Sequence, residues 1–344
     1  MPHPAFGVAF PAHGPLDRLV AGAREAEELG YRNVWVTDDR LQKDVFVTLA
    51  AMAVATAEVQ LGPGVTNPFS RHPALIATGI ATLDELSGGR AVLGLGAGGT
   101  NHRALGVTRE APVQALAEAV EVIRGLMAGR EVTLHGRVVQ AEAASLDFTP
   151  VRSSIPIFLG ARGPRMLELA GAIADGVIVG NVASPAGWKL ALARITAGAV
   201  GAGRNPDSIG LTAWVYCSVA EDPEPALDAI RPMVATSMAT SRKVLAELGV
   251  ELPEAYVREM ESLGWRLDRD SVERAGRAIP PEMLRWFGLA GTADDCVHSL
   301  RNLLGQFPQI SQVVIVPAGP DAALVTRRFM LDVVPRALPA PVAG

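Results

Sequence analysis

The chain has 344 residues, of which 49% are hydrophobic and 19% charged, and a net charge of −5. A chain this long and apolar buries a sizeable core, which excludes disorder. Its acidic balance excludes a surface of clustered Lys and Arg, so neither nucleic acid nor an anionic membrane is expected as a partner. The length leaves two ordinary domains or one large barrel-type domain with insertions. Cys217 and Cys296 are far apart and belong to no CxxC pair, so neither a disulfide framework nor a metal site is expected. The first residues, MPHPAFGVAF, lack a basic stretch followed by an apolar run, so no signal peptide is expected. The longest charge-free run, Asn302 to Pro320, contains Pro308, Pro317 and Pro320 and does not read as a membrane span. The expected setting is the cytoplasm.

Short apolar runs and helical periods alternate along the chain. Phe6–Phe10 reads as a strand. Leu16–Leu29 reads as a helix with Leu16, Leu19, Val20, Ala23 and Ala26 on one side, stopped by Gly30. Strand Val34–Thr37, helix Val45–Ala57, strand Gln60–Thr66, helix Pro73–Leu86 and strand Arg90–Leu95 follow. Pro112 opens a helix to Met127, a favoured first-turn position for proline. Residues 131–149 alternate in polarity around Gly136-Arg137 and read as a β-hairpin outside the main repeat. The rhythm resumes with strand Pro156–Leu159, helix Arg165–Ala174, strand Gly176–Val179, helix Ala186–Val200, strand Ile209–Val219 and helix Pro225–Met238. Residues 241–290 break it as a charged helical insertion. Val313–Val316 and Leu324–Val334 complete eight strand–helix units.

Continuous apolar strands, each followed by a helix, imply a parallel sheet covered by helices, and eight such units close a (β/α)₈ TIM barrel. The expectation is one domain over 1–344, with a hairpin excursion at 131–149 and a helical insertion at 241–290 before the eighth strand. Two doubly wound domains divided near residue 150 are the alternative.

Several strand ends carry residues that packing does not require. Asp38 and Asp39 end an apolar strand on the face where a barrel places its active site. Asp44, directly before the next helix, is the better helix cap. Leu61-Gly-Pro-Gly-Val-Thr-Asn-Pro68 cannot continue a regular strand and reads as a bulge. His72, before Pro73, reads as a capping residue. Gly94-Leu-Gly96-Ala-Gly98-Gly99 matches G-x-G-x-x-G, but no helix opens directly after it, so it is read as glycine backbone against a flat ring or as a tight turn. Leu159-Gly-Ala-Arg-Gly-Pro164 joins small residues, Arg162 and a helix start, a combination that suits an anion or an ordinary βα loop.

Together with Glu28–Asp39, Arg71-His-Pro73, Ala81–Arg90, Gly160–Gly171 and Ala174-Asp-Gly176, these segments make the chain resemble the luciferase-like flavin- and deazaflavin-dependent oxidoreductases. Within that family it resembles the branch typified by methylenetetrahydromethanopterin reductase. The resemblance runs from about residue 5 to 320 and is weakest from 241 to 290. It implies a barrel, a homodimer, a small-molecule substrate and a cofactor ring at the C-terminal face. The implied cofactor is coenzyme F-420, a deazaflavin, with FMN as the alternative.

Carried over residue by residue, Asp38, Gly64, Val65, Thr66, Asn67 and Gly98 lie against the ring system, with a non-prolyl cis peptide at Gly64-Val65. Ala161, Arg162 and Gly163 hold the cofactor phosphate, with Gly180 and Asn181 nearby. The acids that other members carry after strands one and four are replaced here by Ala9-Phe10-Pro11 and Gly99-Thr100. The proton-handling group therefore does not transfer, and His13, Asp39, Asn101 and His102 are the candidates, with Asp39 and His102 taken as catalytic. Three readings follow: an F-420-dependent hydride-transfer enzyme, an FMN-dependent monooxygenase or reductase, and a cofactor-binding barrel without catalysis.

Overall fold

The computed structural model describes residues 3–39, 41–98, 104–247 and 249–338. The strands are β1 (Ala5–Pro11), β2 (Asn33–Thr37), β3 (Gln60–Pro63), β4 (Leu93–Leu95), β5 (Val132–His135), β6 (Gln140–Ala144), β7 (Ile157–Ala161), β8 (Gly176–Gly180), β9 (Gly210–Val219), β10 (Gly288–Gly291) and β11 (Gln312–Pro317). Helices α1 (Leu16–Glu28), α2 (Val45–Ala53), α3 (Pro73–Ser87), α4 (Pro112–Met127), α5 (Pro164–Ile173) and α6 (Pro185–Gly201) alternate with them. Next come α7 (Pro223–Thr240), α8 (Arg242–Glu247), α9 (Glu254–Ser262), α10 (Arg269–Gly276), α11 (Pro281–Leu284), α12 (Ala293–Gln306) and α13 (Ala322–Arg328). A π-helical turn at Phe329–Val333 leads into α14 (Val334–Ala337).

Strands pair in parallel in the order β3-β2-β1-β11-β9-β8-β7-β4. Parallel bridges Leu61–Ala91 and Thr66–Leu95 join β3 back to β4, so the eight strands close a (β/α)₈ barrel. Between those bridges the β3 side advances five residues against four on the β4 side. The extra residue makes a bulge, and it contains a cis peptide between Gly64 and Val65. Helices stop where the sequence supplies a left-handed residue: Gly30 at φ +86° follows α1, and Gly88 at φ +68° caps α3. Asp44 caps α2 by accepting from Phe46 N–H at 2.9 Å and Val47 N–H at 3.0 Å. His72 caps α3: Nδ1 accepts from Ala74 N–H at 3.1 Å.

The barrel interior is layered. At its N-terminal end Asn33, Gln60, Gln312 and Thr212 share one hydrogen-bonded chain, so each polar group the strands bury there has a partner. Above them Trp35 meets Phe158 and Trp214 edge-to-face, with ring centroids 5.9 and 6.2 Å apart. These rings fill the waist and form the floor on which the open end rests.

Hairpin β5–β6 lies where the sequence placed it. Glu118 of α4 holds it, accepting from the backbone N–H groups of Arg137, Val138 and Val139 at 2.8, 2.9 and 2.8 Å. Burial pushes the Glu118 pKa up, but these donors and Gln114 outweigh it and leave the carboxyl below its usual value. His72 Nε2 donates to Gln140 O at 2.8 Å, tying the hairpin to α3.

The second departure from the barrel repeat differs from expectation. The helical excursion begins with α7, not at residue 241, and it ends in β10, which pairs with Tyr216–Val219 of β9. Helix α12 then packs on β10, with Phe307 beside Trp188 of α6, their ring centroids 5.9 Å apart. Gly-Leu-Ala-Gly is too short and too poor in β-branched residues to announce a strand. The excursion is not a separate body. Ile230, Val234, Met238, Tyr256 and Met260 form one buried cluster with Trp35, Trp214 and Tyr216 of the barrel interior.

Candidate active site

At the C-terminal mouth of the barrel lies a cavity of about 390 Å³. Strand ends supply its wall. Thr37 ends β2 and Asp38 and Asp39 follow it, Gly64 and Val65 follow β3, and Gly96, Ala97 and Gly98 follow β4. Gly160 to Gly163 come from β7, Gly180 and Asn181 from β8, and Trp214 from β9. Ten of the residues singled out from sequence therefore converge: Asp38, Asp39, Gly64, Val65, Gly98, Ala161, Arg162, Gly163, Gly180 and Asn181. Two do not reach the cavity. Thr66 is buried behind Asp38. Asn67 is turned onto its own loop, where Oδ1 accepts from Phe69 N–H and Ser70 N–H at 3.1 and 2.9 Å. His13 is exposed and does not line the cavity. His102 and Asn101 lie outside the described residues.

The glycines in and just after β4 make room for a side chain of the neighbouring strand end. A Cβ built on Gly96 would stand 2.5 Å from Val65 Cγ2, and one on Gly160 would stand 3.3 Å from Val65 Cγ1. A Cβ on Gly94 would meet the Pro63 carbonyl at 2.2 Å and Val65 Cγ1 at 3.2 Å. The bulge of β3 thus turns the Val65 side chain across the strand ends, and glycines 94, 96 and 160 leave the room it occupies. What meets the cavity is the Val65 side chain with the bare backbone of Gly96 to Gly98 beside it. Gly64 is bounded from the other side, since a Cβ there would lie 2.5 Å from the Trp214 ring.

Asp38 is the acid with the most distinctive surroundings. Its carboxylate accepts from Thr66 Oγ1 at 2.6 Å. Arg71 pairs with Asp44 at 2.6 Å, and Asn67 is committed to its turn. Burial pushes the Asp38 pKa up. Thr66 and Arg71 pull against it, and the charges of Asp44 and Asp39 add to the rise. A carboxyl that holds its proton more tightly than usual, on a cavity wall, is equipped to hold and release a proton there.

Across the mouth the wall is cationic. Arg162 projects from the end of β7, and its guanidinium donates to Ser241 Oγ at 2.7 Å. Burial lowers its pKa, the Tyr216 hydroxyl opposes that, and Arg109 adds like-charge repulsion. Among the described residues no carboxylate lies within ion-pair distance of Arg162. Asn181 adopts a left-handed backbone, φ +55°, and donates from Nδ2 to Ser237 Oγ at 3.2 Å, while its Oδ1 is buried without a partner. A half-buried cation beside a buried acceptor without a partner favours a bound ligand that brings an anion and a hydrogen-bond donor.

The profile of the family described as luciferase-like monooxygenase matches residues 4–306. The chain belongs to that family. Among luciferase-like relatives, a 5,10-methylenetetrahydromethanopterin reductase of Methanolobus tindarius is 35% identical over 92% of this chain and 95% of its own. The enzyme of that name from Archaeoglobus fulgidus is 34% identical over 96% and 99%. The solved structure of the coenzyme F-420-dependent tetrahydromethanopterin reductase of Methanopyrus kandleri superposes with a TM-score of 0.85 at 29% identity, covering 98% of this chain and all of that one.

Sequence reasoning missed four residues of this luciferase-like site that have side chains of substance: Arg109, Met166, Ile178 and Trp214. Trp214 carried a usable signal, since it lies two residues before Tyr216 on a strand whose inward positions alternate. Arg109 carried none. It comes from the irregular stretch before α4, and its guanidinium reaches back to the Gly98 carbonyl at 3.3 Å.

Proposed function

We propose that this protein is a coenzyme F-420-dependent oxidoreductase that moves a hydride between the deazaflavin and a small organic substrate, in the manner of methylenetetrahydromethanopterin reductase. The observation that carries the proposal is the pairing of Arg162, a half-buried cation whose hydrogen-bond partner is the neutral Ser241 hydroxyl, with the apolar, side-chain-poor wall of Val65 and Gly96 to Gly98 in one cavity. A phosphate-bearing cofactor with a flat ring fits both halves. Full-length relatives are methylenetetrahydromethanopterin reductases, and the solved Methanopyrus kandleri reductase is named as dependent on coenzyme F-420.

In this reading Arg162 and the backbone of Ala161 and Gly163 hold the phosphate at the start of α5, where the helix N-terminus favours an anion. Gly64, Val65 and Gly98 support one face of the ring, and Gly180 and Asn181 flank the chain between ring and phosphate. The cofactor, when bound, supplies the hydride chemistry. The barrel floor of Trp35, Phe158 and Trp214 keeps water from entering beneath. Asp38 and Asp39 serve as the proton-handling pair. Asp38, whose pKa burial raises against the Thr66 bond, is placed to take up or give a proton, and Asp39 stands beside it on the cavity wall. His102 stays a candidate beside them on the β4–α4 connection.

The proposal includes a homodimer, supported by the exposed apolar side chains Val47 and Val54 of α2 and Leu75 and Leu86 of α3, adjacent helices of the outer layer. It places the protein in the cytoplasm, where the buried free thiols Cys217 and Cys296 stay reduced. Among the described residues no helix is long and apolar enough to cross a membrane. The test is anaerobic mixing of the protein with reduced and oxidised F-420 and candidate substrates, following cofactor absorbance. Turnover with FMN and none with F-420 rejects the proposal in favour of a flavin enzyme.

A further inference from the structure

The cavity's polar wall is not held by the barrel alone. Two serines on the last turn of α7, one helical turn apart, each take a polar group of that wall. Ser237 Oγ bridges Asn181 Nδ2 at 3.2 Å and the Tyr216 hydroxyl at 2.8 Å. Ser241 Oγ accepts from Arg162 at 2.7 Å. Both serines are buried, at 2% and 7% exposure, so neither bond is diluted by solvent. Ser241 is also the C-cap of α7, an 18-residue helix. Its C-terminal end carries the partial negative charge of unsatisfied carbonyls, which favours a cation placed there. The next residue is anchored as well: the Arg242 guanidinium lies 3.7 Å from the centroid of the Trp265 ring.

We infer that Ser241 and Ser237 are positioning residues for the ligand-binding wall. Through them the excursion, not the barrel, sets the direction of the Arg162 cation and of the Asn181 amide. Had a carboxylate done this work, it would have neutralised Arg162 and competed with an incoming phosphate. A hydroxyl and a helix end orient the guanidinium and leave its charge available. In the same way, Ser237 occupies Asn181 Nδ2 and leaves Oδ1 as an acceptor for a donor on the ligand. The inference rests on the reading of the cavity as a site for a phosphate-bearing cofactor, and it deepens that reading by naming the residues that pre-organise the site.

The test is a set of cofactor titrations on wild type and on Ser241→Ala, Ser241→Thr, Arg162→Ala and the double variant Ser241→Ala/Arg162→Ala. F-420 and FMN are both tried on the wild type, and whichever binds is used throughout. Loss of one bond to a charged group is expected to weaken binding by about 3- to 30-fold in Ser241→Ala. Ser241→Thr, which keeps the hydroxyl, should restore affinity to within about threefold of wild type. In the Arg162→Ala background the Ser241→Ala change should have almost no further effect, because its action runs through the arginine. Ser237→Ala should weaken binding and, because it strands the buried Tyr216 hydroxyl, also lower the thermal midpoint, so the affinity is read at a temperature where the variant is fully folded.

Equal losses from Ser241→Ala with and without Arg162 would overturn the inference and mark Ser241 as merely structural. So would wild-type affinity in Ser241→Ala. Binding of FMN in place of F-420 with the coupling intact would overturn the F-420 reading and leave the inference standing. Binding of neither would overturn both.

Discussion

The arrangement of Val65 over bare glycine backbone makes a quantitative prediction. In Gly96→Ala the new methyl arrives 2.5 Å from Val65 Cγ2 and 3.5 Å from Val65 Cβ, while the nearest backbone atom, the Gly160 carbonyl, is 3.8 Å away. The clash is therefore with one side chain alone. Forcing Val65 aside should cost about 1–3 kcal/mol, the usual range for overpacking. Val65→Ala removes two methyl groups from a half-buried site and should cost about 1–2 kcal/mol. Combined, the two changes should cost less than their sum by about 1–2 kcal/mol, since the alanine at 96 then enters the space the valine has left. Gly94→Ala is the control. Its methyl meets the Pro63 carbonyl at 2.2 Å, which is backbone and cannot turn away, so Val65→Ala should not rescue it. Urea unfolding followed by tryptophan fluorescence reads wild type, the three single variants and the two double variants, with Trp35 and Trp214 inside the barrel as reporters. Additivity of Gly96→Ala and Val65→Ala to within about 0.5 kcal/mol would refute the claim that the glycine exists to seat Val65.

Arg162→Ala should weaken cofactor binding by about 10- to 100-fold with the fold intact, read by fluorescence titration. For Asp38 the sign follows from its raised pKa. A carboxyl whose folded pKa exceeds its unfolded value contributes stability below the unfolded pKa and loses it as pH rises through the folded one. Asp38→Asn should therefore gain stability relative to wild type as the pH climbs from the carboxylate range to neutrality, while turnover at saturating cofactor falls; pH-dependent melting and steady-state rates check the two halves. Glu118→Ala leaves three backbone N–H groups of the hairpin without their acceptor and should cost about 2–4 kcal/mol in urea unfolding. The wild-type contribution of Glu118, whose pKa is lowered, should fade as pH falls through that folded value.

Much of the barrel was legible because most strands are short apolar runs, each followed by a helical period with a recognisable start or stop. Pro112 opens α4, Asp44 caps α2, and Gly30 and Gly88 end α1 and α3 where expected. The cis peptide at Gly64-Val65 was read from a family resemblance, and no periodicity reveals it. What stayed hidden has no local signature. Strand β10 is four residues, three of them small, that become a strand only because the end of β9 beyond its pairing with β8 accepts them. Helix α7 has the pattern of an ordinary barrel helix, and its assignment to the excursion depends on partners such as Tyr256 and Met260, which come later in the chain. At the site, the acids and glycines stood out because packing could not explain them. Asn67 looked equally unusual, yet its polar atoms are spent on its own turn. Ser237 and Ser241 looked ordinary, and only the close of α7 over the barrel mouth gives them partners.

The central claim is that the cavity at the barrel mouth binds a phosphate-bearing deazaflavin through Arg162. Its most direct test is an equilibrium titration of wild-type protein and Arg162→Ala with coenzyme F-420 and, in parallel, with FMN. The account predicts saturable binding of F-420, tighter than that of FMN, and a loss of about 10- to 100-fold in the variant. Saturable FMN binding with none for F-420, or unchanged F-420 affinity in Arg162→Ala, would contradict it.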